Sequence, residues 1–169
     1  MLHAYILSGL PGVGKTTLAK ALAQNIANAV YFRIDTIEYY LKREYPQELT
    51  KQGYKIAYYK AKENLELGKN VIIDCCNPIL ESRELWNKLS HVNSTKVINI
   101  EIICSNKQTH QNRVEARHKT NLSKYPTWQD VVDRYYQAWD QSIIKIDTAN
   151  SNIENSLKIL IDQIKEIKW

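Results

Sequence analysis

The chain has no apolar run long enough to span a bilayer, no C-x-x-C pair, and only five glycines and three cysteines among its 169 residues. The first absence argues against a membrane protein, because a spanning helix needs about 20 apolar residues in a row. The second, together with the lack of any Cys/His cluster or metal-spaced histidine pair, argues against a zinc site. Cys75, Cys76 and Cys104 are odd in number and two are adjacent, a poor disulfide framework, so they read as buried free thiols. His3, His91, His110 and His118 read as surface residues. Met1-Leu2-His3 runs directly into an apolar stretch where a signal peptide does not fit, so the cytoplasm is the expected compartment. There is no visible linker or internal repeat, and the length suits one domain, residues 1–169, with its own core.

What glycine there is lies concentrated. Gly9, Gly12 and Gly14 fall within Gly9-Leu10-Pro11-Gly12-Val13-Gly14-Lys15-Thr16, which fits G-x-x-x-x-G-K-[ST]. Ala4 to Ser8 before it reads as a short strand. Leu18, Ala19, Leu22, Ala23 and Ile26 after it keep helical spacing. Strand, glycine-rich loop and helix form the context that a phosphate-binding loop needs. Backbone N–H groups from Gly9 to Thr17, including those of Val13 and Gly14, can wrap a polyphosphate, aided by the positive end of the helix dipole. Lys15 reaches the β- and γ-phosphates, and the Thr16 hydroxyl suits Mg²⁺.

The rest alternates strand and helix. Val30 to Ile34, closed by Asp35, reads as a strand, and Thr36 to Tyr45 as a helix with Ile37, Tyr40 and Leu41 on one face, ended by Pro46. Tyr54, Tyr58, Ala61 and Leu65 mark a helix that Gly68 caps. Val71-Ile72-Ile73-Asp74 suits a parallel strand buried on both faces. Leu85, Trp86 and Leu89 mark a helix, Val97 to Cys104 a strand, and Thr109 to His118 a polar helix followed by a loop to Tyr125. Thr127 to Asp130 fits a capping box, and Trp128, Val131, Val132, Tyr135, Tyr136 and Trp139 keep helical period behind it, as packing residues rather than a base-stacking platform. Ile143 to Asp147 reads as the last strand, and Ile153, Leu157, Leu160, Ile161, Ile164 and Ile167 as one face of the closing helix. This order argues for an α/β domain with a parallel sheet and helices on both faces. Ligands of such sheets bind beyond the carboxyl ends of the strands.

Four side chains outside the loop are candidates for chemistry. Asp74 ends an apolar run, the form of an acid that serves Mg²⁺ beside Thr16; the plain alternative is a cap for the next turn. Asp35 could take a proton from an attacking hydroxyl, or simply cap the following helix. Arg113 and Arg117, four apart on one helix face, could close over a triphosphate, or be solvated surface. Asn106-Lys107-Gln108-Thr109 lacks the acid of the guanine-reading N-K-x-D, and Asn77 stands where a D-x-x-G switch after Asp74 needs glycine, so a GTPase is not expected.

Taken in order, Gly9 to Thr17, Asp35, Val71 to Asn77, Arg113-Val114-Glu115-Ala116-Arg117 and Ile146-Asp147-Thr148 resemble the small P-loop kinases of the polynucleotide-kinase-like and chloramphenicol-phosphotransferase-like group. The resemblance spans nearly the whole chain. It implies a three-layer P-loop NTPase fold with a five-stranded parallel sheet in the order 2-3-1-4-5, and transfer of the γ-phosphate of Mg·ATP to a hydroxyl. It further implies Asp35 as base, Arg113 and Arg117 as lid arginines, and an adenine contact around Thr148 and Ala149. Polynucleotide kinases of this group tend to carry an arginine three residues after the base; here that position is Glu38, which disfavours a phosphorylated acceptor.

The expected protein is therefore an ATP- and Mg²⁺-dependent kinase of a small-molecule alcohol, the acceptor wall lying in 36–59 among Tyr39, Tyr40, Tyr45, Tyr54, Tyr58 and Tyr59. The net charge of +5 suits anionic substrates, but the lysines are scattered, so nucleic acid is a possible partner that is not favoured. The alternatives are a nucleic-acid 5′-hydroxyl kinase and a nucleotide-binding switch without acceptor. Nothing in the sequence sets an oligomeric state.

Overall fold

Residues of alternating direction on each strand sort the apolar side chains into two cores, one on each face of a central sheet. The computed structural model describes residues 1–45, 52–139 and 143–167. Its strands are β1 (His3–Ser8), β2 (Ala29–Arg33), β3 (Asn70–Asp74), β4 (Lys96–Ile103) and β5 (Ile144–Asp147). They form one five-stranded sheet in the order β2-β3-β1-β4-β5, and every pairing is parallel. The helices are α1 (Lys15–Asn25), α2 (Ile34–Glu44), α3 (Gln52–Glu66), α4 (Leu80–Asn87), α5 (Lys107–Thr120), α6 (Trp128–Val132) and α7 (Ile153–Glu166), with a 3₁₀ turn at Lys88–His91.

On one face Ile6, Val71 and Ile73 pack with Ala57, Ala61 and Leu65 of α3 and Trp86 of α4. On the other, Leu7, Ile72, Ile100 and Ile102 pack with Leu18 and Leu22 of α1 and Leu160 of α7. Ile72 is wholly buried between paired strands, so truncating it to alanine would cost about 2–5 kcal/mol. The register sets Leu7 and Arg33 beside Asp74, and Ile103 beside Asp147, so these strand ends share one edge. The α3 helix stops where Gly68 takes φ +76, its N–H and that of Lys69 closing on Leu65 O and Asn64 O. This is the glycine cap read from the sequence.

Several expectations need correction. Asp35 does not end a strand: β2 stops at Arg33, and Asp35 lies in the first turn of α2, where the helix dipole favours an acid. Tyr40 is exposed rather than packed with Ile37. Pro46, expected to end that helix, lies outside the described residues. The Thr127 capping box is present, but its helix ends at Val132 instead of running on to Trp139. The segment after it is tied instead to α4 and the turn before α4, in part by Arg83, a buried residue of α4. Its guanidinium donates to the carbonyls of Asn77, Gln137 and Ala138 and lies 3.9 Å from the Trp139 ring centroid. Gln137 N–H donates to Pro78 O at 2.8 Å and so is not available to the carbonyl four residues before it, and tertiary bonding overrides the local period. Of the cysteines only Cys75 is buried; Cys76 and Cys104 are half-buried. Burial pushes the Cys75 thiol up, away from the reactive thiolate. His110 is buried, and His3 and His118 are partly buried, so only His91 matches the surface reading.

Candidate active site

The loop from Gly9 to Thr16 turns between β1 and α1 under tight steric limits. Gly9 has φ +143, and a Cβ there would lie 2.3 Å from the Ile102 carbonyl oxygen. Gly12 has φ +86, and a Cβ would meet Val114 of α5 at 2.4 Å. Both positions therefore need glycine. Neighbouring elements hold the loop's outer side. Gly9 N–H donates to Cys76 O at 3.1 Å, a His110 ring nitrogen lies 2.7 Å from Pro11 O, and Thr148 Oγ1 donates to Val13 O at 2.7 Å. Inside the loop the Lys15 ammonium, 8% exposed, donates to Leu10 O at 2.8 Å.

At the start of α1 the Thr16 hydroxyl donates to Asp74 Oδ2 at 2.7 Å, and the Tyr31 hydroxyl donates to the same oxygen at 2.9 Å. Asp74 is 2% exposed. Burial, and then the Asp74 carboxylate, push the Tyr31 hydroxyl up, so it stays a proton donor. Arg33 completes the group, with Nε 3.5 Å from Asp74 Oδ2 and Nη2 3.0 Å from Asp35 Oδ2.

This donor set fits Mg²⁺. A hydroxyl and a carboxylate oxygen are hard donors held together, and Mg²⁺ usually takes only one or two protein ligands, with waters and phosphates completing its shell. Among the described residues no group of three or more His, Cys, Asp or Glu could hold a metal by itself.

Two clefts meet here. The first, about 330 Å³, is lined by Gly12, Lys15, Thr16, Arg113, Arg117 and Thr148, with Asp35 at its border. The second, about 500 Å³, runs from Asp35 past Glu38, Tyr54 and Cys76 to Arg134. Asp35 lines both. Burial, and then the nearby Asp35 carboxylate, raise the Glu38 carboxyl above its ordinary value.

The two arginines of α5 reach the first cleft by different routes. Arg113 is anchored, Nη1 donating to Thr148 Oγ1 at 2.9 Å and Nη2 to Thr148 O at 3.0 Å. Arg117 lies over the Tyr125 ring at 4.2 Å, and Lys124 lies over the Tyr39 ring of α2 at 4.4 Å. The segment after α5 thus touches α2 by cation–π contact. Thr148 is buried and joins loop, β4 and Arg113, because its hydroxyl reaches both Val13 O and Ile103 O.

Lys15, Thr16, Asp74, Asp35, Arg113, Arg117 and Thr148 are thus brought together, as their order suggested. Among the expected wall tyrosines, Tyr54 reaches the second cleft. Tyr58 packs against the core, while Tyr40, Tyr45 and Tyr59 are exposed. Sequence reasoning missed Tyr31, Arg33, Arg83 and His110. Arg33 had one usable signal, a cation two residues before Asp35 in the sequence.

Comparison with known proteins gives the family and the fold. The model of the family described as chromatin associated protein KTI12 matches residues 5–168. The chain belongs to the KTI12 family. No curated protein matches it. Among solved structures, Kti12 of Chaetomium thermophilum in complex with ADP-AlF3 superposes with a TM-score of 0.65 at 18% identity, over 96% of this chain and 97% of that one. The APS kinase of Mycobacterium tuberculosis in complex with AMPPNP and APS gives 0.71 at 15% identity, over 98% of each chain. A sugar kinase from Janibacter gives 0.68 at 14% identity, over 98% of this chain and 95% of that one. At such identities the likeness is one of fold, and the fold of this KTI12-family chain is that of P-loop kinases. No helix among its described residues is long and apolar enough to cross a membrane.

Proposed function

We propose that this KTI12-family protein is a phosphotransferase that moves the γ-phosphate of ATP to a hydroxyl of a small molecule. The observation that carries the reading is Asp35, a carboxylate on the border shared by a phosphate-loop cleft and a second cleft large enough for an acceptor. The loop N–H groups and Lys15 bind the β- and γ-phosphates. Thr16 and Asp74 would hold Mg²⁺, which would neutralise charge on the phosphates. Asp35 accepts the proton of the acceptor hydroxyl as its oxygen attacks. Arg117 stabilises charge on the transferred group, and Arg113, fixed by Thr148, lines the triphosphate channel. The segment around Tyr125 and Lys124 closes over the site and excludes water, which would otherwise take the phosphoryl group. The segment around Thr148 and Ala149 meets adenine. The ordered motifs favour the polynucleotide-kinase-like and chloramphenicol-phosphotransferase-like group as the nearest functional analogue. Glu38 in the second cleft disfavours an acceptor that is already phosphorylated, and with it a nucleic-acid end.

A second reading has its own support. The family is described as chromatin associated, which fits a nucleotide-dependent switch that changes partners without an acceptor. Acceptor-stimulated ADP release separates the two. A screen of alcohols, nucleosides, antibiotics and oligonucleotides should yield an acceptor that raises ADP release well above the slow basal rate. Slow hydrolysis that no acceptor stimulates supports the switch. Transfer to oligonucleotides alone, with steep salt dependence, supports the nucleic-acid kinase.

A further inference from the structure

Arg33 is the last residue of β2, and the pairing of β2 with β3 sets it directly beside Asp74. Its side chain is 15% exposed and meets two acids that belong to different elements. Nη2 donates to Asp35 Oδ2 at 3.0 Å. Nε stands 3.5 Å from Asp74 Oδ2 and has no hydrogen-bond partner among the described residues. That oxygen already accepts the Thr16 and Tyr31 hydroxyls, so Arg33 acts on Asp74 through charge rather than through a hydrogen bond.

We propose that Arg33 is a positioning residue that bridges the two acids, holding Asp35 at the border of the clefts and balancing the charge of Asp74. The proposal rests on the kinase reading for the role of Asp35, but its charge effect on Asp74 does not. Asp35 by itself is an exposed side chain at the start of a helix. An exposed ion pair fixes little when both partners move. Here the arginine is half of a strand-end pair with a buried acid, so its fork is already aimed. A guanidinium offers donors in a rigid plane and can serve two carboxylates at once; an ammonium is a point charge and cannot reproduce that alignment.

Two separable consequences follow from one side chain. The cation lowers the negative potential at Asp74 and so opposes Mg²⁺, while its Nη2 bond aligns Asp35 for transfer. Replacing Arg33 should tighten Mg²⁺ and slow transfer together, a combination that general loss of structure does not produce.

The test uses Arg33→Met and Arg33→Lys in the full chain. Mg²⁺ is titrated against binding of a fluorescent ATP analogue, and acceptor-stimulated ADP release is followed in parallel, with melting temperature as control. In Arg33→Met the half-saturating Mg²⁺ should fall about fivefold, the effect of one unit charge a few ångströms away in high dielectric. Its acceptor-dependent kcat should fall about 10²-fold, the effect of misplacing a reacting group by an ångström. Acceptor KM should change less. Arg33→Lys should restore the parent's Mg²⁺ dependence but not its kcat. Unchanged Mg²⁺ dependence in Arg33→Met overturns the proposal, as does weaker Mg²⁺ binding with a lower melting temperature in both variants. The Mg²⁺ titration needs no acceptor, so failure to find one counts against the kinase reading and leaves this test standing.

Discussion

Thr16 Oγ1 lies 2.7 Å from Asp74 Oδ2, though the two residues are 58 positions apart. The hydroxyl gives its proton to the acid and keeps its lone pairs for a cation, which ties the start of α1 to the end of β3. Asp35 belongs to another part of the site, at the border with the second cleft. The two acids should therefore fail differently.

Asp74→Asn should lose Mg²⁺-dependent nucleotide binding, so slow hydrolysis and transfer fall together. Asp35→Asn should bind Mg·nucleotide nearly normally and lose acceptor-dependent transfer by about 10²–10⁴ where general-base assistance dominates. ADP release with and without acceptor, in the parent and both variants, checks this. Normal transfer by Asp35→Asn reverses the assignment.

Lys15→Ala should abolish productive ATP binding while the chain stays folded. The ammonium's partner is a loop carbonyl, not a core group, and losing one charged hydrogen bond costs about 1.5–3 kcal/mol at most. Calorimetric ATP binding and thermal melting are the measurements. Equal ATP affinity in variant and parent would remove the loop from the mechanism. Competition should also favour ATP over GTP, since Thr109 stands where a guanine-reading acid would be.

The two arginines of α5 should separate. Arg113→Ala removes both bonds to Thr148 and should weaken ATP binding as well as turnover. Arg117→Ala leaves that brace intact and should lower turnover far more than affinity, by about 10³-fold if it serves the transferring group as arginines do in related chemistry. Steady-state kcat alongside nucleotide Kd decides; full turnover in both variants would make α5 a structural helix only.

Glu38 predicts a pH effect on stability. Its carboxyl is raised by burial and by Asp35, so the fold prefers the neutral form. The stability this contributes is fully present below the ordinary carboxyl range and is lost as pH rises through the raised folded value. Glu38→Gln removes the dependence. The melting temperature of Glu38→Gln relative to the parent should climb as pH rises from acid to neutral. A constant difference across that window would show that Glu38 is solvated as an ordinary carboxylate.

The loop from Gly9 to Thr16, the parallel sheet and the chain order of Asp35, Asp74, Arg113 and Arg117 were legible in the sequence. Each rests on local chemistry: glycine where φ is positive, apolar runs where both faces are buried, an acid where a strand meets the ligand edge. The tertiary structure decided what those residues lean on. Helical period runs from Trp128 to Trp139, yet Gln137 N–H donates to Pro78 O, Arg83 of α4 holds the Gln137 and Ala138 carbonyls, and the helix stops at Val132. Histidine spacing shows no metal pair, yet His110 is buried against Pro11 because α5 crosses the loop. Thr148 donates to Val13 O across 135 positions. Arg33 gains its meaning only when β2 is laid beside β3 and two acids from separate elements come within its reach. Local pattern fixes which residues can build an element, while the pairing of polar groups across elements depends on distances that exist only after the sheet has formed.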